Sequence, residues 1–222
     1  AQLERQRAQL KRRNRALSHQ SDLERTLARQ REEAQIANDI AETLAEKVAR
    51  IDSLLDALPD DPAQARGQLS QAKLLVSWCK QQGALALGSK QGSNVPPESL
   101  RLGLGQIASD MRGVGIECGT LVDVARPVSA HAASAVYDCL YDLADVACGL
   151  DDAVVMLYVQ QAPTSGDVRV RGVLQCADTC AEALGEACRS LESPHGAGQL
   201  PTLSLEDAAA RVELLVREEA GS

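Results

Sequence analysis

Leu3, Leu10 and Leu17 recur every seven residues, and Leu23, Leu27 and Ala34 carry the same apolar seam onward after a one-residue irregularity. Neither Gly nor Pro occurs before Leu58-Pro59, and helix formers fill the positions between. This spacing predicts one long helix. Its seam is that of a coiled coil with a parallel partner, although the alternate seam positions hold Gln6 and Arg13. The stripe continues through Ala37, Leu44, Val48, Ile51, Leu55 and Leu58, then stops at Pro59-Asp60-Asp61-Pro62, where prolines and turn formers close the helix. A second helix is expected from Ala63 to Leu87, apolar at Leu69, Ala72, Leu75, Val76, Cys79 and Ala86. Two striped helices joined by a short turn form a hairpin, and two copies packed as a four-helix bundle would bury what one hairpin leaves bare.

The pattern changes after Gly88-Ser89-Lys90-Gln91-Gly92-Ser93-Asn94-Val95-Pro96-Pro97, which reads as a linker. A helix is expected over 98–112, a strand from Ile116 to Val124, and a helix from Ser129 to Gly149. Two strands follow, Ala153–Gln161 and Asp167–Ala177, with Ala162-Pro163-Thr164-Ser165-Gly166 as their turn. A helix at Ala181–Leu191 leads to a loop, Ser193–Gly198, and a last hairpin of Leu200–Leu205 and Arg211–Arg217. The fold class is α+β, with helices on one face of a mixed sheet. The divisions are 1–35 for the coiled coil, 36–88 for the hairpin, 89–97 for the linker and 98–222 for the α/β sandwich.

The 222 residues are 45% hydrophobic and 24% charged, enough to bury a core. No apolar run approaches the roughly 20 residues that span a bilayer, so the chain is expected in the cytoplasm, alone or as the inner part of a longer membrane receptor. Residues 1–35 carry nine Lys/Arg against five acids, a balance of +4, which leaves −12 for the rest of a chain whose net charge is −8. A basic leader suggests nucleic acid, yet aromatic residues are absent from it, Phe is absent throughout and Trp78 stands alone. With few rings to stack on bases, nucleic acid is not the expected partner. The seven cysteines include no Cys-x-x-Cys pair, and Cys176 and Cys180 have no companion at zinc-ligand spacing. They read as buried reduced thiols.

Ile36-Ala37-Asn38-Asp39-Ile40-Ala41-Glu42-Thr43-Leu44 resembles the phosphoacceptor box of sensor histidine kinases, whose usual form is Ile-Ala-Arg-Glu-Leu-His-Asp-Thr-Leu. Pro96-Pro97-Glu98-Ser99-Leu100 through Gly115-Ile116-Glu117 is similar to the start of that family's ATP-binding domain, and the order of elements over about residues 20–217 follows the family. The resemblance implies a dimerisation hairpin followed by a GHKL-type α/β sandwich that uses ATP and Mg²⁺. It also implies a homodimer and a response-regulator receiver domain as partner. Matching Leu143-Ala144-Asp145-Val146-Ala147-Cys148-Gly149 to the family's Leu-Thr-Asn-Ala-Leu-Lys-His puts Asp145 at the metal-holding asparagine and Gly149 at the histidine. A carboxylate can hold a hard cation, and a solvated helix acid is the plainer alternative for Asp145. Asp178 falls where the family anchors the adenine amino group, or is simply a turn residue. Cys180 falls where the family needs a glycine for close backbone approach. Gly185, Gly196 and Gly198 are the glycines available to a nucleotide lid.

Ala41 occupies the place of the reactive histidine and has no nucleophile. Glu42 matches the acid that serves that histidine as a base, and beside an alanine it has no proton to take. His19, His131 and His195 read as structural or solvated. A naturally degenerate kinase and an engineered replacement at position 41 would both give this residue, and the changes at Asp145, Gly149 and Cys180 favour the first. Three functions are in contention: an ATP-dependent histidine kinase, a non-catalytic dimeric module that binds a regulator or partner kinase, and a coiled-coil adaptor with an unrelated cap.

Overall fold

The computed structural model describes residues 2–89, 94–188 and 202–217. The first helix, α1, runs Gln2–Asp56 and ends just before the Pro59–Pro62 turn. The second, α2, runs Pro62–Ser89 and begins on a proline, which loses nothing at a first turn because the N–H there has no helical partner anyway. Three further helices follow in chain order: α3 (Pro97–Arg112), α4 (Ala130–Ala147) and α5 (Ala181–Cys188). Five strands complete the fold: β1 (Glu117–Asp123), β2 (Val154–Gln161), β3 (Val168–Gln175), β4 (Thr202–Glu206) and β5 (Ala209–Val216). The mixed α+β architecture expected from the pattern is the one observed. The loop expected at Ser193–Gly198, the end of the Ala181–Leu191 helix and the start of the last hairpin lie outside the described residues.

Local chemistry sets the boundaries. Pro97 opens α3, and Gly113 closes it with its N–H on the carbonyls of Ser109 and Met111. Gly115, at a φ of +93°, makes the turn into β1 that a side chain would strain. Ser129 caps α4 by accepting from the Ala132 N–H at 3.1 Å. The end of the linker is pinned rather than free: Val95 and Val128 exchange backbone hydrogen bonds of 2.7 and 3.0 Å, which fastens the start of α3 to the start of α4.

The sheet order is β1-β2-β3-β5-β4, with β1 parallel to β2 and every other pair antiparallel. Alternation directs Val155, Leu157 and Val159, then Val168, Val170 and Leu174, then Ala210, Val212 and Leu214 to the covered face. Gly172 leaves a notch on that face, where any side chain would overlap Leu143, and α4 settles into it. At the outer edge, the carbonyls of Cys118, Val122 and Val124 accept from Arg112 and Arg101 of α3, at 2.7 to 3.4 Å.

A third layer lies on the helices. Leu74, Leu75 and Trp78 of α2 are at most 2% exposed and belong to the same buried cluster as Leu100, Leu104, Leu140 and Leu157. The break in pattern at 89–97 therefore does not separate two cores. One side of the hairpin stripe is buried against the sandwich of its own chain. The remainder stays bare, with Leu55, Leu69 and Val76 between 44 and 54% exposed.

Candidate functional site

Where α1 and α2 cross α4, polar side chains from all three helices converge. Trp78 and Gln82 of α2 both donate to Asp138 Oδ1, at 2.9 and 2.8 Å, and the Ser134 hydroxyl lies 2.9 Å from Gln82 Oε1. These bonds satisfy groups that burial would otherwise leave costly. Trp78 also packs against Tyr141, with ring centroids 5.8 Å apart and tilted by 49°. From α1, the Lys47 ammonium stands 4.9 Å from the Tyr141 ring centre and 5.9 Å from that of Trp78, within cation–π range.

One turn further along α1, Arg50 reaches Asp145. A single guanidinium nitrogen, Nη2, donates to both carboxylate oxygens, at 3.2 and 3.1 Å. Burial works against the Arg50 charge, and Asp145, with Tyr141 and Asp142 beyond it, more than offsets this, so the guanidinium is held above its ordinary value. Burial first and Asp145 second push the Tyr141 hydroxyl upward. The Cys148 thiol is pushed up to about 11 by burial and by Asp145, with Arg50 pulling the other way. Asp145 remains 27% exposed. Its carboxylate is engaged by an arginine from the hairpin.

The other expected site residues are dispersed. Ala41 and Glu42 lie exposed on α1. At 3.6 residues per turn, position 41 stands about 14 Å along the axis from Arg50 and about 180° around it, so the two lie on opposite faces of α1. Gly149 follows α4 in the turn to β2 and is exposed. Asp178 and Cys180 begin and end a single 3₁₀ turn after β3, which joins the α4–β2 turn through a 3.1 Å bond from Ala177 N to Asp151 O. The Cys180 N–H is consumed within its own turn by Ala177 O at 2.8 Å, and its side chain is half-buried. Gly185 lies inside α5, not in a loop; Gly196, Gly198 and His195 fall outside the described residues. His19 is exposed on α1, and His131 is half-buried in the first turn of α4. A cavity of about 170 Å³ opens between the start of α2, the α3–β1 turn and the end of α4, lined in part by Arg66, Val114, Cys148 and Leu150. None of the expected site residues lines it.

No family model matches the sequence, and no curated protein matches it. Solved structures give partial likenesses. One is the histidine kinase domain from the Erythrobacter litoralis EL346 blue-light activated histidine kinase, at 14% identity and a TM-score of 0.44, over 79% of this chain and 95% of that one. A second structure of the same blue-light activated kinase gives 14% identity and 0.41, over 77% of this chain and 63% of that one. A bacterial phosphotransferase gives 9% and 0.34, over 82% and 95%. The functional reading rests on the side chains themselves.

Those side chains include several that pattern reading passes over: Lys47, Arg50, Trp78, Asp138 and Tyr141. A signal was present at two of them. Lys47 takes a seam position between Leu44 and Ile51, and the chain's single tryptophan falls on α2. Among the described residues, no group of three or more His, Cys, Asp or Glu side chains is arranged to hold a metal ion.

Proposed function

We propose that this chain is a signalling relay related to the cytoplasmic part of a sensor histidine kinase, in which phosphotransfer to histidine has been lost. The observation that carries the reading is the Arg50–Asp145 pair. The carboxylate that matches the family's metal-holding position is bound by the chain's own guanidinium, while Ala41 offers no acceptor and faces the opposite way. ATP and Mg²⁺ fit this arrangement poorly, because Arg50 holds both Asp145 oxygens and the Cys180 N–H is spent within its own turn. The partners proposed are a second copy of the chain and a response-regulator receiver domain or partner kinase, bound without phosphate transfer. The bare stripe of Val48, Leu55, Leu69 and Val76 supports the second copy, since two such hairpins would cover one another as a four-helix bundle, with α1 continuing as a coiled coil. Its place is the cytoplasm, with or without a membrane sensor upstream. No described helix is long and apolar enough to cross a membrane.

Thermal unfolding with Mg-ATP and with Mg-ADP tests the reading. A ligand that binds only the folded state at 100 times its Kd adds about 2.7 kcal/mol, so a true nucleotide site would raise Tm visibly. No metal-dependent rise is expected. A clear rise, followed by phosphate incorporation into the Ala41→His variant, would establish an intact kinase blocked at one residue.

A further inference from the structure

The two helices of the hairpin are held to α4 by different forces. In α2, Leu74, Leu75 and Trp78 are buried in the common core, and Trp78 and Gln82 add hydrogen bonds to Asp138. In α1, the apolar residues facing the core, Leu44, Ile51 and Leu54, are only partly buried. Its reach to α4 is made by two long cations: Arg50, 41% exposed, on Asp145, 27% exposed, and Lys47 over Tyr141. Under Lys47, the buried Tyr141 hydroxyl has no hydrogen-bond partner among the described residues, so the seam is imperfectly sealed.

We infer that Arg50 and Lys47 form an electrostatic strap between α1 and α4, and that the Leu44–Leu54 stretch of α1, which also packs along α2, shifts off α4 when the strap is released while α2 stays in place. Partly exposed charge pairs weaken as salt shortens the screening length, whereas apolar burial does not weaken in sodium chloride. The turn at 57–61, outside both helices, provides the hinge. Lifting uncovers Trp78, Tyr141, Asp142 and Asp145 together, so a twist or pull along α1 would become a change in the surface of α4. That direction of signal rests on the relay reading above. The strap itself stands on the side chains.

Trp78 is the only tryptophan in the chain and lies under the strap, so the protein carries its own reporter. The test uses the full chain, with tryptophan emission and amide exchange followed from about 0.05 M to about 1 M sodium chloride, where the screening length falls to about 3 Å. Emission is expected to move to the red, and amides of residues 44–56 to exchange about tenfold faster, while residues 72–85 and the far-ultraviolet helix signal hold steady. Arg50→Gln should show the high-salt behaviour already at low salt, and Arg50→Asp combined with Asp145→Arg should restore the closed state. Equal protection of both segments at every salt concentration would overturn the inference, as would loss of both together. Should Arg50→Gln not fold, the salt series on the unaltered chain still decides. Neither readout depends on nucleotide, so a failed strap and a failed relay reading remain distinguishable: only the second predicts a Tm rise with Mg-ATP.

Discussion

α1 and α2 come from one pattern of apolar residues at helical spacing, yet they meet the rest of the molecule in opposite ways. In α2 the stripe disappears into a shared core, with Leu75 and Leu74 at 0 and 1% exposure, whereas in α1 the corresponding positions remain half-open beside Lys47 and Arg50. An apolar stripe reports that a face wants cover. It does not report how strongly, or by what, the cover is held.

The contrast can be broken first on the α2 side. Leu75→Ala should cost about 2–5 kcal/mol in denaturant unfolding, because it opens a void among fully buried neighbours. A cost below about 1 kcal/mol would mean that α2 is no more firmly seated than α1.

Alkaline pH probes the sandwich beneath both helices, at β1 and at the end of α4. The thiols of Cys118 and Cys148 are pushed from an ordinary 9.0 to about 11. Between those values the unfolded chain gives up its thiol protons while the folded chain retains them, so stability must fall as pH rises from about 9 to about 11. Below pH 9 this contribution is fully present. Melting curves across that range should show the fall, and Cys148→Ser should reduce its steepness.

On the α1 side, Arg50→Ala should cost only about 1 kcal/mol, less at high salt, given how exposed both partners are. A double-mutant cycle with Asp145→Asn isolates the pair from the packing of the arginine stem. The smallest effect belongs to Ala41→His. An exposed helix position facing solvent should change stability by no more than about 0.5 kcal/mol, and no phosphate should be incorporated.

Much of the fold was legible because its punctuation is local. Pro59 to Pro62, Gly113 to Gly115 and Ser129 each act within a few residues, and each marks a boundary where it was expected. Strand alternation in Val168–Gln175 likewise declares which face is covered. The site was legible only in part. Asp145 could be singled out, but its partner lies 95 residues earlier, on a helix where nothing in the spacing marks Arg50 apart from the other cations. Trp78 and Asp138, 60 residues apart, posed the same difficulty. Pairing across such distances depends on how α1, α2 and α4 stack, and no spacing along the chain encodes that.

The two arginines along β1 have a consequence for how copies of this molecule can meet. With the Cys118, Val122 and Val124 carbonyls already taken by Arg112 and Arg101, that margin of the sheet offers an incoming strand little to bond with. Growth from one sheet into the next is hindered on that side. A chain guarded in this way is protected from fibril-like stacking there, and its bare helices are left as the better ground for choosing company.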